Sequence, residues 1–368
     1  MSDESEEPDK ARAYMRYMQV DRLLELQHPL SAKSSEPVHD EHLFIIMHQS
    51  KELWFLQLIK DLEAARAQIC LDCYDEASMY LVRCRRIIDV LQASWEVLAT
   101  LRPREFWRFR KYFGNASGLQ SAQFRHVEFL LGLRHHVPHV RRIQEEQDKI
   151  LEELAAKDAA SSDAGSEKPV GSQEAAADAG EDAGESKGRE ARISAHFRLL
   201  EEELERPSLW DEVLRALGRR YRFKIPIELR ERDWRKPYPY PRSRERGQQS
   251  PESIEQEAKA PRGDPDVEEA WLSIFAHRED YPAGYRLGEA LLDLASSLAL
   301  WRQKHILTVQ RFIGDLPGSG GTPGVPYLNS TLKWRIFPEL WSIQNRFSEF
   351  EARERAQAAR NTEDKNRL

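Results

Sequence analysis

The chain has 368 residues, 40% of them hydrophobic, and a formal net charge of −7 at pH 7. That is apolar material for one large domain or two ordinary ones, with no basic field for nucleic acid and no apolar run near the roughly 20 residues that span a bilayer. The amino terminus, MSDESEEPDK, is acidic and unlike a signal peptide, and three cysteines are too few for a disulfide framework, which suits a reducing cytoplasm.

Apolar residues recur at helical spacing over 40–69, 76–100, 120–134, 194–205, 208–218 and 287–313, and strand-like alternation is nearly absent. The pattern predicts an all-α fold, a single domain of long helices packed as a bundle.

The first strong helix opens in HDEHLFIIMHQSKELWF, residues 39–55, where Asp40 after Pro37 is a capping residue. Leu43, Phe44, Ile45, Ile46, Met47, Leu53, Trp54, Phe55, Leu56, Leu58 and Ile59 wrap most of its circumference, which predicts a central helix. Phe44, His48 and Phe55 fall within about 40° of one another at 100° per residue. His48 then sits among aromatic rings, where burial keeps an imidazole neutral. A core histidine bonded to a carbonyl and a histidine facing a ligand are both open readings. His39 and His42, spaced i, i+3 at the helix entrance, have a metal-binding spacing but read as capping or solvated residues. Cys70 and Cys73 form a C-x-x-C at the end of this pattern, and Cys84 leaves a zinc site short of four ligands, so ordinary packing is expected.

Residues 101–121, LRPREFWRFRKYFGNASGLQS, come next. Pro103 suits a first helical turn, and Phe106 and Arg110 are i, i+4 neighbours. An aromatic ring beside a guanidinium suits a ligand with an apolar body and a carboxylate, although most arginines of such a chain lie on its surface. Residues 156–192 are mostly Ala, Gly, Ser and acidic residues, with one Val as the only large aliphatic, a composition that cannot offset ordering entropy; a disordered insertion between the halves of a helical hairpin is expected. Residues 236–266, rich in proline and charge, form a second irregular link. In LWRQKHILTVQRFIGDLPGSGGTPGVPYL, residues 300–328, His305 has Trp301 one turn before it and Val309 one turn after. Apolar neighbours around a lone helical histidine suit an axial haem ligand, or a satisfied core position. The glycine-rich loop that follows holds Ser319 and lacks the Gly-Lys-Ser/Thr of a phosphate-binding loop; it lets backbone approach a ligand closely. The tail after about 350 is charged and solvated.

Together these segments resemble the tryptophan 2,3-dioxygenase family. The likeness rests on AYMRYMQVDRLL at 13–24, HDEHLFIIMHQSKELWF, FRKYFGNASGLQSAQFR at 109–125, LERPSLWDEVLRAL at 204–217, ERDW at 231–234, and LWRQKHILTVQRFIG followed by GSGG. The resemblance implies an all-α homotetramer, a dimer of dimers, with one haem b per subunit, acting on L-tryptophan and O₂ in the cytoplasm to give N-formyl-L-kynurenine in tryptophan catabolism. It makes His305, with Trp301 beside it, the haem-iron ligand. It makes His48 the distal histidine that hydrogen-bonds the indole N–H. Phe44 and Phe106 become pocket aromatics, Arg110 the partner of the substrate carboxylate, and Ser117 a pocket serine. Tyr14 and Tyr17 correspond to tyrosines from a neighbouring subunit.

Two departures stand out. The family's Gly-Thr-Gly-Gly-Ser-Ser-Gly is here Gly318-Ser319-Gly320-Gly321-Thr322-Pro323-Gly324, so Ser319 replaces the threonine that meets the substrate ammonium. Leu119 replaces the phenylalanine of Ser-Gly-Phe-Gln-Ser. The altered loop motivates an alternative, a haem monooxygenase acting on a substituted tryptophan; a non-enzymatic helical haem-binding protein is the other.

Overall fold

The computed structural model describes residues 7–114, 116–135, 195–231, 264–320 and 322–367, with isolated positions between 140 and 191. Most of 156–192 and of 236–266 lies outside them. Among the described residues there are helices, 3-10 segments and turns, and no strand.

The helices are α1 (Glu7–Met18), α2 (Val20–Leu24), α3 (Asp40–Cys70), α4 (Tyr74–Leu98), α5 (Pro103–Arg110), α6 (Ala122–Leu130), α7 (195–204), α8 (Leu209–Arg220), α9 (Ile227–Arg230), α10 (Pro265–Ala276), α11 (Pro282–Ile313), α12 (Val325–Thr331), α13 (Pro338–Ser342) and α14 (Phe347–Arg367). Local chemistry sets several of their starts. Pro103 opens α5 at a position whose N–H has no helical partner. Ser121 caps α6 by accepting from the Phe124 N–H at 3.1 Å. Ser208 and Asp211 form a reciprocal capping box on α8. Asp264 caps α10 ahead of Pro265.

The chain divides into two compact units. One gathers Met1–Trp54, Val90–Leu119 and Trp301–Thr331; the other gathers Phe55–Asp89, Gln120–Leu300 and Leu332–Leu368. In the second unit the buried rings of Trp210, Trp271 and Phe337 pack together. Phe129, Val140, Phe197, Leu200 and Leu204 form a further cluster, which brings together side chains from either side of the acidic insertion.

Two expectations need correction. The helix α3 is apolar nearly all round yet not sheathed: Ile46, Leu53, Trp54 and Leu56 are exposed among the described residues. Phe55 packs on Phe124 inside the second unit, with ring centroids 5.2 Å apart. Cys70 and Cys73 are exposed at the α3–α4 turn, so packing accounts only for buried Cys84. The charged tail beyond 350 is exposed as expected but helical, with an i, i+4 pair between Arg355 and Glu351 at 2.7 Å.

Candidate functional site

The residues to which the family resemblance gives a role in the site lie in the first unit. Its core is aromatic. Phe44 of α3 meets Phe109 and, stacked, Phe113, each at 5.4 Å between centroids. Phe106 stacks on Phe312 at 5.3 Å and lies 6.1 Å from Phe44. The Trp107 indole N–H donates to the Phe312 carbonyl at 3.1 Å, which ties α5 to the end of α11.

His48 stands against this cluster, 4.2 Å from the Phe44 ring. Its Nδ1 lies 2.8 Å from the Phe44 carbonyl oxygen. A carbonyl only accepts, so Nδ1 carries the proton and donates. Burial, and then the neighbouring Lys51 charge, bring its pKa down to about 4, against a smaller opposing effect of the Phe44 carbonyl. The ring is therefore neutral at physiological pH, and Nε2 keeps a lone pair for an N–H donor. The two sequence readings of His48 are thus compatible: one nitrogen serves a carbonyl, and the other is an acceptor.

Arg110, at the end of α5, is half-buried with its guanidinium 4.7 Å over the Trp107 ring. Nη2 donates to the Pro317 carbonyl at 2.9 Å. Nη1 is shielded from solvent and has no hydrogen-bond partner among the described residues. A guanidinium with one arm fastened and one arm vacant is set for a carboxylate.

The glycine-rich loop closes on itself through the Gly318 N–H to the Thr322 carbonyl at 3.0 Å. It also lies hard against the segment after α5. A Cβ at position 320 would meet the Ser117 Cβ at 2.6 Å, so only glycine permits this approach. Ser319 Oγ donates to the Ala116 carbonyl at 2.6 Å, which leaves the oxygen's lone pairs to accept from an ammonium.

His305 of α11 stacks on Trp95 of α4, with centroids 4.6 Å apart and planes 11° apart, and lies 5.9 Å from Trp301. Over the Trp95 ring, 3.2 Å from its centroid, is the Lys51 ammonium. Lys51 follows His48 by one turn of α3, so Lys51 and Trp95 link the two histidines of interest through contacts inside one unit. Neither was legible beforehand. Lys51 reads as a routine helix-surface charge, and Trp95 as one core aromatic among many. The only hint was that Lys51 is three residues after His48, on the same side of the helix.

Tyr14 and Tyr17 are 64% and 84% exposed, apart from these residues in the single chain. His39 and His42 are exposed. Among the described residues one acidic and histidine cluster has ligand-like spacing: Glu63, His126 and Glu203, in the second unit. Arg66 already spans the Glu203 carboxylate with two hydrogen bonds, at 2.5 and 3.2 Å, which marks a structural ion pair.

The tryptophan 2,3-dioxygenase family model matches residues 2–176 and 255–347. A tryptophan 2,3-dioxygenase of Polaromonas sp. strain JS666 is 34% identical over 347 residues, 93% of this chain and 91% of the relative. That of Bordetella pertussis is 34% identical over 347 residues, 93% of this chain and 94% of the relative. The Caulobacter vibrioides protein of the same name is 34% identical over 333 residues, covering 90% and 97%. No helix among the described residues is long and apolar enough to cross a membrane.

Proposed function

Because this chain belongs to the tryptophan 2,3-dioxygenase family of oxidoreductases, we propose that it opens the indole ring of L-tryptophan across C2–C3 with both atoms of O₂, giving N-formyl-L-kynurenine. Family membership implies a haem cofactor, and the residues present suit one. His305 offers an imidazole flanked by Trp95 and Trp301, and Lys51 brings a buried ammonium without an acceptor. We assign His305 as the residue that would hold the iron of a haem b. When bound, the haem supplies the activation of O₂; the protein binds, orients and keeps water out.

The side chains divide the substrate between them. Phe44 and Phe106 wall the indole. His48 Nε2 accepts the indole N–H, a bond that an analogue without that donor forfeits. The free Nη1 of Arg110 takes the carboxylate, and Ser319 Oγ accepts from the ammonium beside Ser117. One observation carries this reading: a single compact unit holds an aromatic cluster edged by a neutral imidazole acceptor, a guanidinium arm with nothing to bind, and a glycine loop that presents a hydroxyl.

Tyr14 and Tyr17, exposed together with Ile46, Leu53 and Trp54 of the same unit, suit cover by a neighbouring copy. We infer a homotetramer whose N-terminal segments complete neighbouring sites, working in the cytoplasm as one all-α domain. The family match over nine-tenths of the chain favours this dioxygenase over the monooxygenase and non-enzymatic readings. Turnover of L-tryptophan by the haem-supplemented protein in ¹⁸O₂ is the test. A product carrying two labelled oxygens is expected; a product carrying one overturns the dioxygenase assignment.

A further inference from the structure

Two other buried charges of the first unit have hydrogen-bond partners. Glu41 accepts the backbone N–H groups of Leu30 and Ser31, both at 2.9 Å. Arg302 donates to the Thr331 carbonyl at 3.3 Å. Lys51 departs from this pattern. The residue is 5% exposed, and its Nζ has no solvent contact and no hydrogen-bond acceptor among the described residues. Its nearest support is the Trp95 ring face, 3.2 Å away. A lysine stem is long and flexible enough to carry its head out to water, as surface lysines do. Here the head turns inward, and burial lowers its pKa to about 7. A buried ammonium with only a ring face for company lacks its counter-charge.

The position of that ammonium narrows what the counter-charge is. Trp95 carries Lys51 over its ring and has His305 stacked against it. Arg110 is placed elsewhere, against Trp107 and the Pro317 carbonyl of the glycine loop. The two unsatisfied cations therefore stand at different addresses, one with the substrate-facing loop and one with the imidazole assigned to the iron. A porphyrin of the b type brings two propionate carboxylates. We propose that Lys51 is an anchoring cation for the haem, donating a charge-assisted hydrogen bond to a propionate carboxylate. This rests on the haem reading above and adds a residue to it.

The chemistry recognised is a carboxylate, which the porphyrin and the amino acid substrate both possess, so the test separates them. Full-length apoprotein is titrated with hemin and with hemin dimethyl ester, in which both carboxylates are masked. Wild type binds hemin more tightly than the diester. Lys51→Met loses roughly 10- to 100-fold in hemin affinity, the range for a hydrogen bond to a charged group, and little for the diester. Lys51→Arg, which keeps the charge, retains most of the wild-type preference. Thermal unfolding supplies a readout without haem: apo Lys51→Met melts no lower than wild type, because it removes an unsatisfied cation. If Lys51→Met does not fold, Lys51→Gln reads the same ratio.

A wild-type hemin-to-diester ratio in the Lys51 variants overturns the proposal and leaves the haem reading intact. A defect that instead appears in the discrimination of L-tryptophan from tryptamine, which has no carboxylate, also overturns it and moves Lys51 to the substrate. Wild-type protein that binds neither porphyrin brings down the haem reading itself.

Discussion

Two buried cations of the second unit and two of the first are held in different ways. In the second unit Arg66 grips Glu203 with both arms and adds the Pro207 carbonyl at 2.9 Å. Arg134, fully buried, donates to the carbonyls of Leu204 and Arg206 at 3.1 and 2.8 Å. In the first unit Arg110 keeps a buried nitrogen without an acceptor among the described residues, and Lys51 keeps its whole ammonium so. Both kinds of burial oppose folding through desolvation; the Arg66 ion pair offsets it with a carboxylate, which Lys51 and the Nη1 of Arg110 lack among the described residues. An ion pair of the first kind holds a fold together; a cation of the second, beside aromatic rings, is suited to a ligand's carboxylate.

Substitutions can break this contrast. Arg66→Ala should have the largest effect, about 3–5 kcal/mol of stability, because it takes from buried Glu203 its two-armed partner. Denaturant unfolding reads it; a loss below about 1 kcal/mol would erase the difference between the units. Arg110→Ala should do the reverse, weakening L-tryptophan binding by about 2–5 kcal/mol with little change in the unfolding midpoint. Unchanged affinity would remove its substrate role. Gly320→Ala pushes the glycine loop off Ser117 at a cost of about 1–3 kcal/mol, seen as weaker L-tryptophan binding with haem uptake preserved. Wild-type affinity there would mean that the loop does not reach the substrate.

The smallest effect concerns pH. The folded pKa of His48, about 4, lies below its ordinary 6.5. Its contribution to stability is therefore complete above 6.5 and is lost as pH falls from 6.5 through about 4. Over that same fall Nε2 stays an acceptor until protonation near 4 turns it into a donor. His48 should thus leave L-tryptophan affinity level down to about pH 5. Affinity measured against pH checks this, and a His48-dependent inflection near 6.5 would contradict the buried, neutral ring.

Much of the scaffold was legible because long periodic helices announce themselves. The expected spans 40–69, 76–100 and 287–313 became Asp40–Cys70, Tyr74–Leu98 and Pro282–Ile313. Pairing at i, i+4 drew attention to Phe44 with His48 and to Phe106 with Arg110. What stayed hidden needed information from other elements. Periodicity reports that a face is apolar, not what covers it, so α3 looked central while Leu53 and Trp54 are exposed. Helix α14 has almost no apolar period beyond 350; it forms from Ala, Glu and Arg propensity and i, i+4 pairing. Lys51 could not be told from a surface lysine, because its burial is set by Trp95 on a different helix.

The most direct measurement is the optical spectrum of the haem-supplemented protein, wild type and His305→Ala, titrated with L-tryptophan and with tryptamine. The wild type should show a Soret band that responds to L-tryptophan at concentrations where tryptamine, lacking the carboxylate for Arg110, does little; His305→Ala should lose the stable band. A normal band in His305→Ala, or an equal response to the two ligands, would contradict a site completed by haem at one set of unsatisfied groups and by an amino acid at the other.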